Sequence, residues 1–242
     1  MQRLEGKVAI ITGAAGGLGE AQVRRFVAEG ARVLMTDLKD GGAIAASLGG
    51  AALFMRHDVS VEAEWAEMVA TALAKFGRLD ILVNNAALYD PKPLLQSNAE
   101  DMERSFRNNT LSVMFGMQAA FAALKASGKG AVVNLCSGVA VRYFPGTFPY
   151  TVSKWALRGM SSFAAVEFGR EGIRVNAIFP GLIRTPMLES NPADALAQVA
   201  ATIPLSRIGE ADEVAETVAF LASDASSYLN GAEIILDGGM ML

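Results

Sequence analysis

The feature that most constrains the fold is a short apolar run followed at once by a glycine-rich turn. Residues 7–12 (KVAIIT) are almost wholly apolar and largely β-branched, and residues 13–19 contain four glycines. Such a run predicts a strand buried on both faces of a parallel sheet. Residues 17–29 then follow helical spacing, with Gly30 placed to end the helix. The turn therefore lies at a helix N-terminus, where backbone N–H groups can hold a pyrophosphate.

Alternation of strands and helices continues along the whole chain. It predicts one doubly wound α/β domain, residues 1–242, with a seven-stranded parallel sheet covered by helices on both faces, a Rossmann fold. A TIM barrel is the alternative, although its sites do not require a phosphate loop directly after the first strand. The predicted strands are residues 7–12, 32–36, 52–57, 80–83, 131–135, 174–179 and 233–236, and the predicted helices are residues 17–29, 41–48, 61–76 with Ser60 as N-cap, 100–125, 150–170, 194–201 and 213–221.

Composition excludes several classes of protein. Hydrophobic residues make up 52% of the chain and the formal charge is −4, which suits a folded acidic protein without a cationic nucleic-acid surface. No apolar run is long enough for a membrane span, and no export signal is visible, so we expect a cytoplasmic protein. The single cysteine, Cys136, cannot form an internal disulfide. His57 is the single histidine, so a Ser-His-Asp triad is excluded unless His57 is its histidine.

Asp37 indicates which nucleotide the glycine turn would take. It ends the second predicted strand, where a carboxylate can accept hydrogen bonds from both ribose hydroxyls and would repel a 2′-phosphate. Leu38 is not basic, so NAD is favoured over NADP, with Lys39 as the residue that leaves the choice open. Helix capping is the competing interpretation of Asp37.

Tyr150 and Lys154 form a candidate acid/base pair. They are four residues apart and share one face of a helix, so a phenol and an ammonium can converge on one reacting oxygen. A nearby cation stabilises the phenolate, and we therefore expect Lys154 to lower the pKa of Tyr150. The competing interpretation is a half-buried tyrosine beside a solvated lysine.

The order and spacing of the motifs resemble the short-chain dehydrogenase/reductase family nearly from end to end. The family's Asn-Asn-Ala-Gly motif corresponds to residues 84–87, where Ala87 replaces the glycine. Because two asparagines are adjacent at 108 and 109, Asn108 is an alternative to Asn109 as the match to the family's catalytic asparagine. The matching segments are Thr12-Gly13 with Gly17-Leu18-Gly19, Asp58-Val59, Asn84-Asn85-Ala86, Asn109, Ser137 thirteen residues before Tyr150, Lys154, Pro180-Gly181, Ile183, Thr185, Met187, Asn230-Gly231 and Asp237-Gly238-Gly239.

The resemblance implies a role for each matching residue. Tyr150 would exchange a proton with a secondary alcohol or its ketone, Ser137 would hold the substrate oxygen, and Lys154 would bind the nicotinamide ribose. Asn109 would position a water molecule that links Lys154 to solvent. The implied cofactor is NAD, no metal is required, and the implied contacts are Thr12, Gly13, Gly17, Leu18, Gly19, Asp37, Asp58, Val59, Asn85, Ala86, Tyr150, Lys154, Pro180, Gly181, Ile183 and Thr185. Within the single domain, about residues 1–135 would form the half that binds the cofactor, and about residues 136–242 would form the half that binds the substrate and carries the catalytic residues.

The substrate predicted by the neighbouring loops is a hydrophobic or cyclic secondary alcohol, or its ketone, and hydroxysteroid-like molecules are one possibility among the substrates of the family. The candidate pocket residues are mostly apolar: Leu88, Val139, Phe144, Phe148, Leu182, Met187 and Leu188. Two alternatives stay open: an NADPH-dependent 3-oxoacyl carrier-protein reductase, and a non-catalytic scaffold that binds NAD(H). The resemblance also implies a homotetramer.

Three other residues have simpler interpretations. His57 is expected to pack or cap beside the adenine region, and Cys136 to be a buried filler without nucleophilic function. Arg184 could favour an anionic substrate if it lay over the pocket, although a solvent-facing side chain is the preferred interpretation.

Overall fold

The computed structural model describes residues 2–185, 188 and 193–242. Seven of its strands form one parallel sheet, as predicted from the sequence. The strands are β1 (Val8–Thr12), β2 (Arg32–Asp37), β3 (Ala52–Arg56), β4 (Ile81–Asn84), β5 (Ala131–Leu135), β6 (Arg174–Pro180), β7 (Ile183–Arg184), β8 (Gly209–Glu210) and β9 (Glu233–Leu236). The helices are α1 (Gly17–Ala28), α2 (Gly42–Ser47), α3 (Glu64–Phe76), α4 (Ala99–Phe106), α5 (Ser112–Ser127), α6 (Phe148–Gly169), α7 (Ala193–Thr202) and α8 (Ala211–Ala222).

The strand order is β3-β2-β1-β4-β5-β6-β9, and all pairings are parallel. The sheet has two open edges, β3 and β9, so the TIM barrel alternative is excluded. The chain leaves β1 towards β2 on one side and returns as β4 on the other, and this reversal opens a crevice at the carboxyl end of β1. A small parallel pair of β7 and β8, which the sequence did not predict, lies outside the main sheet.

Two apolar layers cover the sheet. On one face α3, α5 and α6 contribute Trp65, Leu124 and Leu157, and on the other α1 and α8 contribute Phe26 and Val218. All five side chains are almost completely buried. Because strands β1, β4 and β5 are buried along their whole length, their polar ends are fixed against a rigid core.

Two predicted helices differ from the observed ones. The helix predicted at residues 61–76 begins at Glu64, and Ser60 is not its N-cap, because the backbone N–H and hydroxyl of Ser60 both donate to Asp58 Oδ1. The single helix predicted at residues 100–125 is interrupted by a π-helical turn, Arg107–Leu111, between α4 and α5. In the described part of the chain, each helix is too short or too polar to traverse a bilayer.

Candidate active site

The glycine turn between β1 and α1 is closely packed against the loop after β4. Gly13 has φ +64°, and a Cβ there would lie 2.8 Å from the Cα of Ala86. A Cβ on Gly19 would overlap the carbonyl oxygen of Gly13, so α1 can approach the turn only because this residue is glycine. Leu18 packs into the core on the α1 side. The backbone N–H groups at the start of α1 therefore face the carboxyl edge of the sheet.

The loop after β4 is tied to the turn by polar contacts of Thr12 and Asn85. Thr12 Oγ1 accepts hydrogen bonds of 3.0 Å from the backbone N–H groups of both Asn85 and Ala86. Asn85 Nδ2 donates to the carbonyls of Thr12 and Gly13 at 2.9 and 3.0 Å. Gln22 of α1 donates to Asn85 Oδ1 at 3.1 Å and so fixes the orientation of its amide. The sequence motifs did not reveal Gln22, which acts only through this tertiary contact.

Asp37 connects the same turn to the end of β2. Its carboxylate accepts 2.9 Å hydrogen bonds from the backbone N–H groups of Ala15 and Lys39. Helix capping is not its role, because α2 begins at Gly42 and Asp40 accepts the hydrogen bond from that N–H. A carboxylate is thus held beside the glycine turn, where a nucleotide ribose would lie if a pyrophosphate occupied the turn.

Asp58 and Val59 follow β3 and form the next segment of the same edge. Asp58 Oδ1 accepts from Ser60, while its backbone N–H donates to Glu64 Oε2 at 2.8 Å. The carbonyl of Val59 accepts a 3.0 Å hydrogen bond from the indole of Trp65. These bonds fix the loop, and the adenine contact implied for both residues stays a prediction.

Tyr150, Ser137 and Lys154 meet beyond the end of β5. Tyr150 and Lys154 lie in the first two turns of α6, and the hydroxyl of Ser137 lies close enough to the Tyr150 phenol to influence its pKa. The Lys154 ammonium is buried, donates to the carbonyl of Leu135 at 2.7 Å and lies 5.7 Å from the centre of the Tyr150 ring. The solvated lysine of the competing interpretation is therefore excluded.

The electrostatics of this pair correct one expectation from the sequence. Burial raises the pKa of Tyr150 to about 12, although the nearby hydroxyl of Ser137 acts in the opposite direction. Burial lowers the pKa of Lys154 to about 8. The prediction that the Tyr150 pKa is lowered was wrong for this structure, because loss of water around the phenol outweighs the stabilisation of its anion.

Asn109 lies at the π-helical turn and holds the loop after β4. Its Oδ1 accepts from the N–H of Leu88 at 2.7 Å, and its Nδ2 donates to the carbonyl of Leu88 at 3.0 Å and to Ser153 Oγ at 3.0 Å. Asn108, the alternative, instead donates to the carbonyl of Arg104 within its own helix. The π-turn thus brings Asn109 next to Ser153 of α6, one residue before Lys154.

The segment after β6 folds back over the glycine turn. A Cβ on Gly17 would lie 3.6 Å from Cγ2 of Thr185, and a Cβ on Gly181 would lie 2.7 Å from Cβ of Asp237. Pro180 ends β6, and Ile183 in β7 is buried. Arg184 forms an ion pair with Glu210, so this cation is engaged by the chain itself.

The predicted pocket residues lie in the segments that follow β4, β5, β6 and β7. Those described with side chains are all half-buried, and Met187 lies outside the described residues. The set comprises Leu88, Val139, Phe144, Phe148, Leu182 and Leu188. Sequence reasoning missed Tyr89, whose ring packs edge-to-face on Tyr150 with the ring centres 5.0 Å apart.

Together the open parallel sheet, the glycine turn and the Tyr150 site define a dinucleotide-dependent oxidoreductase of the doubly wound class. A family model described as enoyl-(acyl carrier protein) reductase matches residues 13–241. The chain belongs to the short-chain dehydrogenase/reductase family, whose members use nicotinamide cofactors.

Three of the relatives that match almost the whole chain illustrate the range of their names. A 3-alpha-(or 20-beta)-hydroxysteroid dehydrogenase of Mycobacterium tuberculosis is 40% identical, covering 98% of this chain and 90% of the relative. A 2,5-dichloro-2,5-cyclohexadiene-1,4-diol dehydrogenase of Sphingobium indicum is 38% identical, covering 98% and 97%. A 3-beta-hydroxysteroid dehydrogenase of Comamonas testosteroni is 37% identical, covering 99% and 97%.

Proposed function

We propose that this chain transfers a hydride between NAD(H) and a secondary alcohol carried on a carbon ring, or the corresponding ketone. The observation that carries the proposal is the convergence of Tyr150, Ser137 and buried Lys154 at the carboxyl edge of the sheet. The same edge carries the glycine turn, so a proton-transfer group and a nucleotide cradle share one crevice.

Tyr150 is the proposed proton carrier, and Ser137 holds the reacting oxygen beside it. In the oxidative direction the phenolate removes the hydroxyl proton, and in the reductive direction the phenol returns it. A positive charge on Lys154 stabilises that phenolate, and the phenolate in turn keeps the proton on Lys154, so the two groups titrate as a coupled pair. The nicotinamide ring, when bound, supplies the carbon that accepts or donates the hydride.

Asp37 supports NAD as the cofactor. The glycine turn would hold the pyrophosphate through the N–H groups at the start of α1, and the carboxylate beside it would accept from the ribose hydroxyls. A 2′-phosphate would meet like charge at that position. Thr185, which lies against Gly17, is proposed to close the phosphate region from above.

The pocket and the relatives support a ring-bearing substrate. The predicted pocket residues that the structure describes are half-buried and apolar, and the relatives' names specify hydroxysteroid or cyclohexadiene-diol dehydrogenases. Arg184 is paired with Glu210, which weighs against an anionic acyl carrier held by that residue.

The proposal is tested with a panel of substrates and cofactors, in which turnover is monitored by the absorbance of NADH or NADPH. Cyclohexanol and a 3-hydroxysteroid are offered with NAD and with NADP, and acetoacetyl and crotonyl thioesters with NADH and with NADPH. The proposal expects turnover of the ring alcohols, with a larger kcat/KM for NAD than for NADP. Faster reduction of the thioesters with NADPH would favour the acyl carrier-protein alternative, whereas tight NADH binding without turnover would favour the scaffold.

A homotetramer is proposed as the assembly. On α6, Phe163 is 66% and Val166 63% exposed, and Ile235 on β9 is 48% exposed, so apolar side chains face outward on two separate elements. Light scattering of the purified chain tests this, since a monomeric mass would overturn it.

A further inference from the structure

Tyr89 contacts the proposed proton carrier directly. Its ring meets the Tyr150 ring at 87° with the centres 5.0 Å apart, yet the side chain keeps 46% of its surface exposed. A large aromatic side chain with one part on Tyr150 and another part open to solvent can contact a molecule bound at that phenol. Neither the family model nor the relatives' names assign it a role.

The segment that carries Tyr89 is held on both sides. On one side Asn109 binds both backbone groups of Leu88. On the other side the N–H of Phe148, at the start of α6, donates to the carbonyl of Lys92 at 2.9 Å. The ring is therefore positioned by the same helix that carries Tyr150, and it needs little reorganisation to receive a ligand.

Charges around this segment are neutralised within the chain. Asp90 pairs with Arg104, and Lys92 pairs with Asp101 at 2.7 Å. The rim beside Tyr89 consequently presents an aromatic face between engaged ion pairs. A neutral, apolar ligand suits such a rim better than a carboxylate or a phosphate, which would have to compete with these pairs.

We propose that Tyr89 is a specificity-determining residue whose ring forms a wall of the substrate site and packs on the face of an alicyclic alcohol. This rests on the proposed function and deepens it, because it specifies why a ring is preferred over an open chain. One face of a puckered carbon ring places several carbons on the Tyr89 ring at once, whereas a short acyclic alcohol places few there. The residue contributes to binding of the substrate and leaves the proton transfer to Tyr150.

The test compares cyclohexanol with 2-butanol for the wild type and for Tyr89→Phe, Tyr89→Leu and Tyr89→Ala. Loss of the aromatic wall is expected to raise KM for cyclohexanol about tenfold in Tyr89→Ala and to change KM for 2-butanol by about twofold or less. Tyr89→Phe keeps the ring and is expected to stay close to wild type, and Tyr89→Leu to fall between. Tyr228→Ala, which removes a fully exposed tyrosine, is the matched control.

Three outcomes overturn the inference without refuting the proposed function. An equal rise in KM for both alcohols would show a general loss of site structure, and a Tyr89→Phe variant as impaired as Tyr89→Ala would assign the effect to the hydroxyl. NADH binding, measured by fluorescence, is expected to be unchanged in all variants. A change in the dissociation constant of NADH would also contradict the assignment of Tyr89 to the substrate site. A wild-type enzyme that turns over no alcohol of either kind would instead refute the proposed function.

Discussion

His57 is expected to make the protein sensitive to mild acid. It is 1% exposed, its Nδ1 lies 3.2 Å from Thr36 Oγ1, and its ring packs edge-to-face on Trp65. Within the described residues its Nε2 has no hydrogen-bond partner. Protonation would therefore bury a charge and an unpaired N–H at the end of β3.

The magnitude follows from the pKa of this side chain. Burial lowers the pKa of His57 from 6.5 to about 4, against the opposing influence of Glu64 and Asp58. Above pH 6.5 the histidine is neutral in both the folded and the unfolded chain, so it adds no pH dependence there. Between pH 6.5 and about 4 only the unfolded chain takes up the proton, so stability is lost as the pH falls, by about 2–3 kcal/mol in all when the pH reaches 4.5.

Urea unfolding at pH 7.5 and pH 4.5 measures this loss. His57→Gln is the comparison, because glutamine stays neutral while keeping a hydrogen-bonding group for Thr36. The wild type is expected to lose about 2–3 kcal/mol more than the variant between the two pH values, which corresponds to about 5–10 °C in melting temperature. Other carboxylates with lowered pKa, including Asp224, are present in both proteins, and protein concentration must be matched. An equal loss in the two proteins would refute the reasoning.

Three further predictions concern the glycine turn, the cofactor and the cysteine. Gly19→Ala is expected to lower the free energy of unfolding by about 1–3 kcal/mol, because its Cβ would overlap the Gly13 carbonyl. Gly16→Ala is the control and should change the free energy of unfolding by less than about 0.5 kcal/mol, because nothing lies within 4 Å of an added Cβ there. Equal urea midpoints for the two variants would contradict this prediction. Asp37→Asn is expected to weaken NADH binding about 10- to 100-fold, and to bring the dissociation constants of NADH and NADPH closer together, as measured by fluorescence titration. An unchanged ratio of these two constants would show that Asp37 does not select the cofactor. Cys136 is 4% exposed, and burial raises its pKa to about 11. A thiol reagent at pH 8 should therefore modify it only when the protein unfolds. Rapid labelling of the native chain would contradict this prediction.

The main sheet could be predicted from sequence because its strands are short apolar runs between clear turn signals. Runs such as residues 8–12 and 131–135 are buried on both faces, so local composition carries the whole signal. The pair β7 and β8 could not be found in this way. Each has only two residues, and the register that joins Ile183 to Gly209 depends on the fold.

The break in the helix predicted at residues 100–125 has a tertiary cause. Nothing in local helix propensity requires a π-helical turn at Arg107–Leu111. The turn allows Asn109 to reach Leu88 and Ser153, and these contacts exist only after α6 has packed against α4. A motif could identify Asn109 as a candidate, but the distortion that positions it was not visible in sequence.

The candidate site was predictable in its residues and less so in its electrostatics. Spacing placed Tyr150 and Lys154 on one helical face, and the structure has both there. Their pKa values depend on burial by other elements, so the sign of the Tyr150 change was missed. Tyr89 belongs to no motif, and only the folded loop brings it to Tyr150.

The most direct test of the central claim is the turnover of a Tyr150→Phe variant on a ring alcohol, with Tyr228→Phe as the matched control. Phenylalanine keeps the ring packing on Tyr89 and removes only the phenolic hydroxyl beside Ser137. We expect kcat to fall about 10²- to 10⁴-fold while NADH binding is retained, and the control to keep full activity. A Tyr150→Phe enzyme with wild-type kcat would contradict the assignment of Tyr150 as the proton carrier.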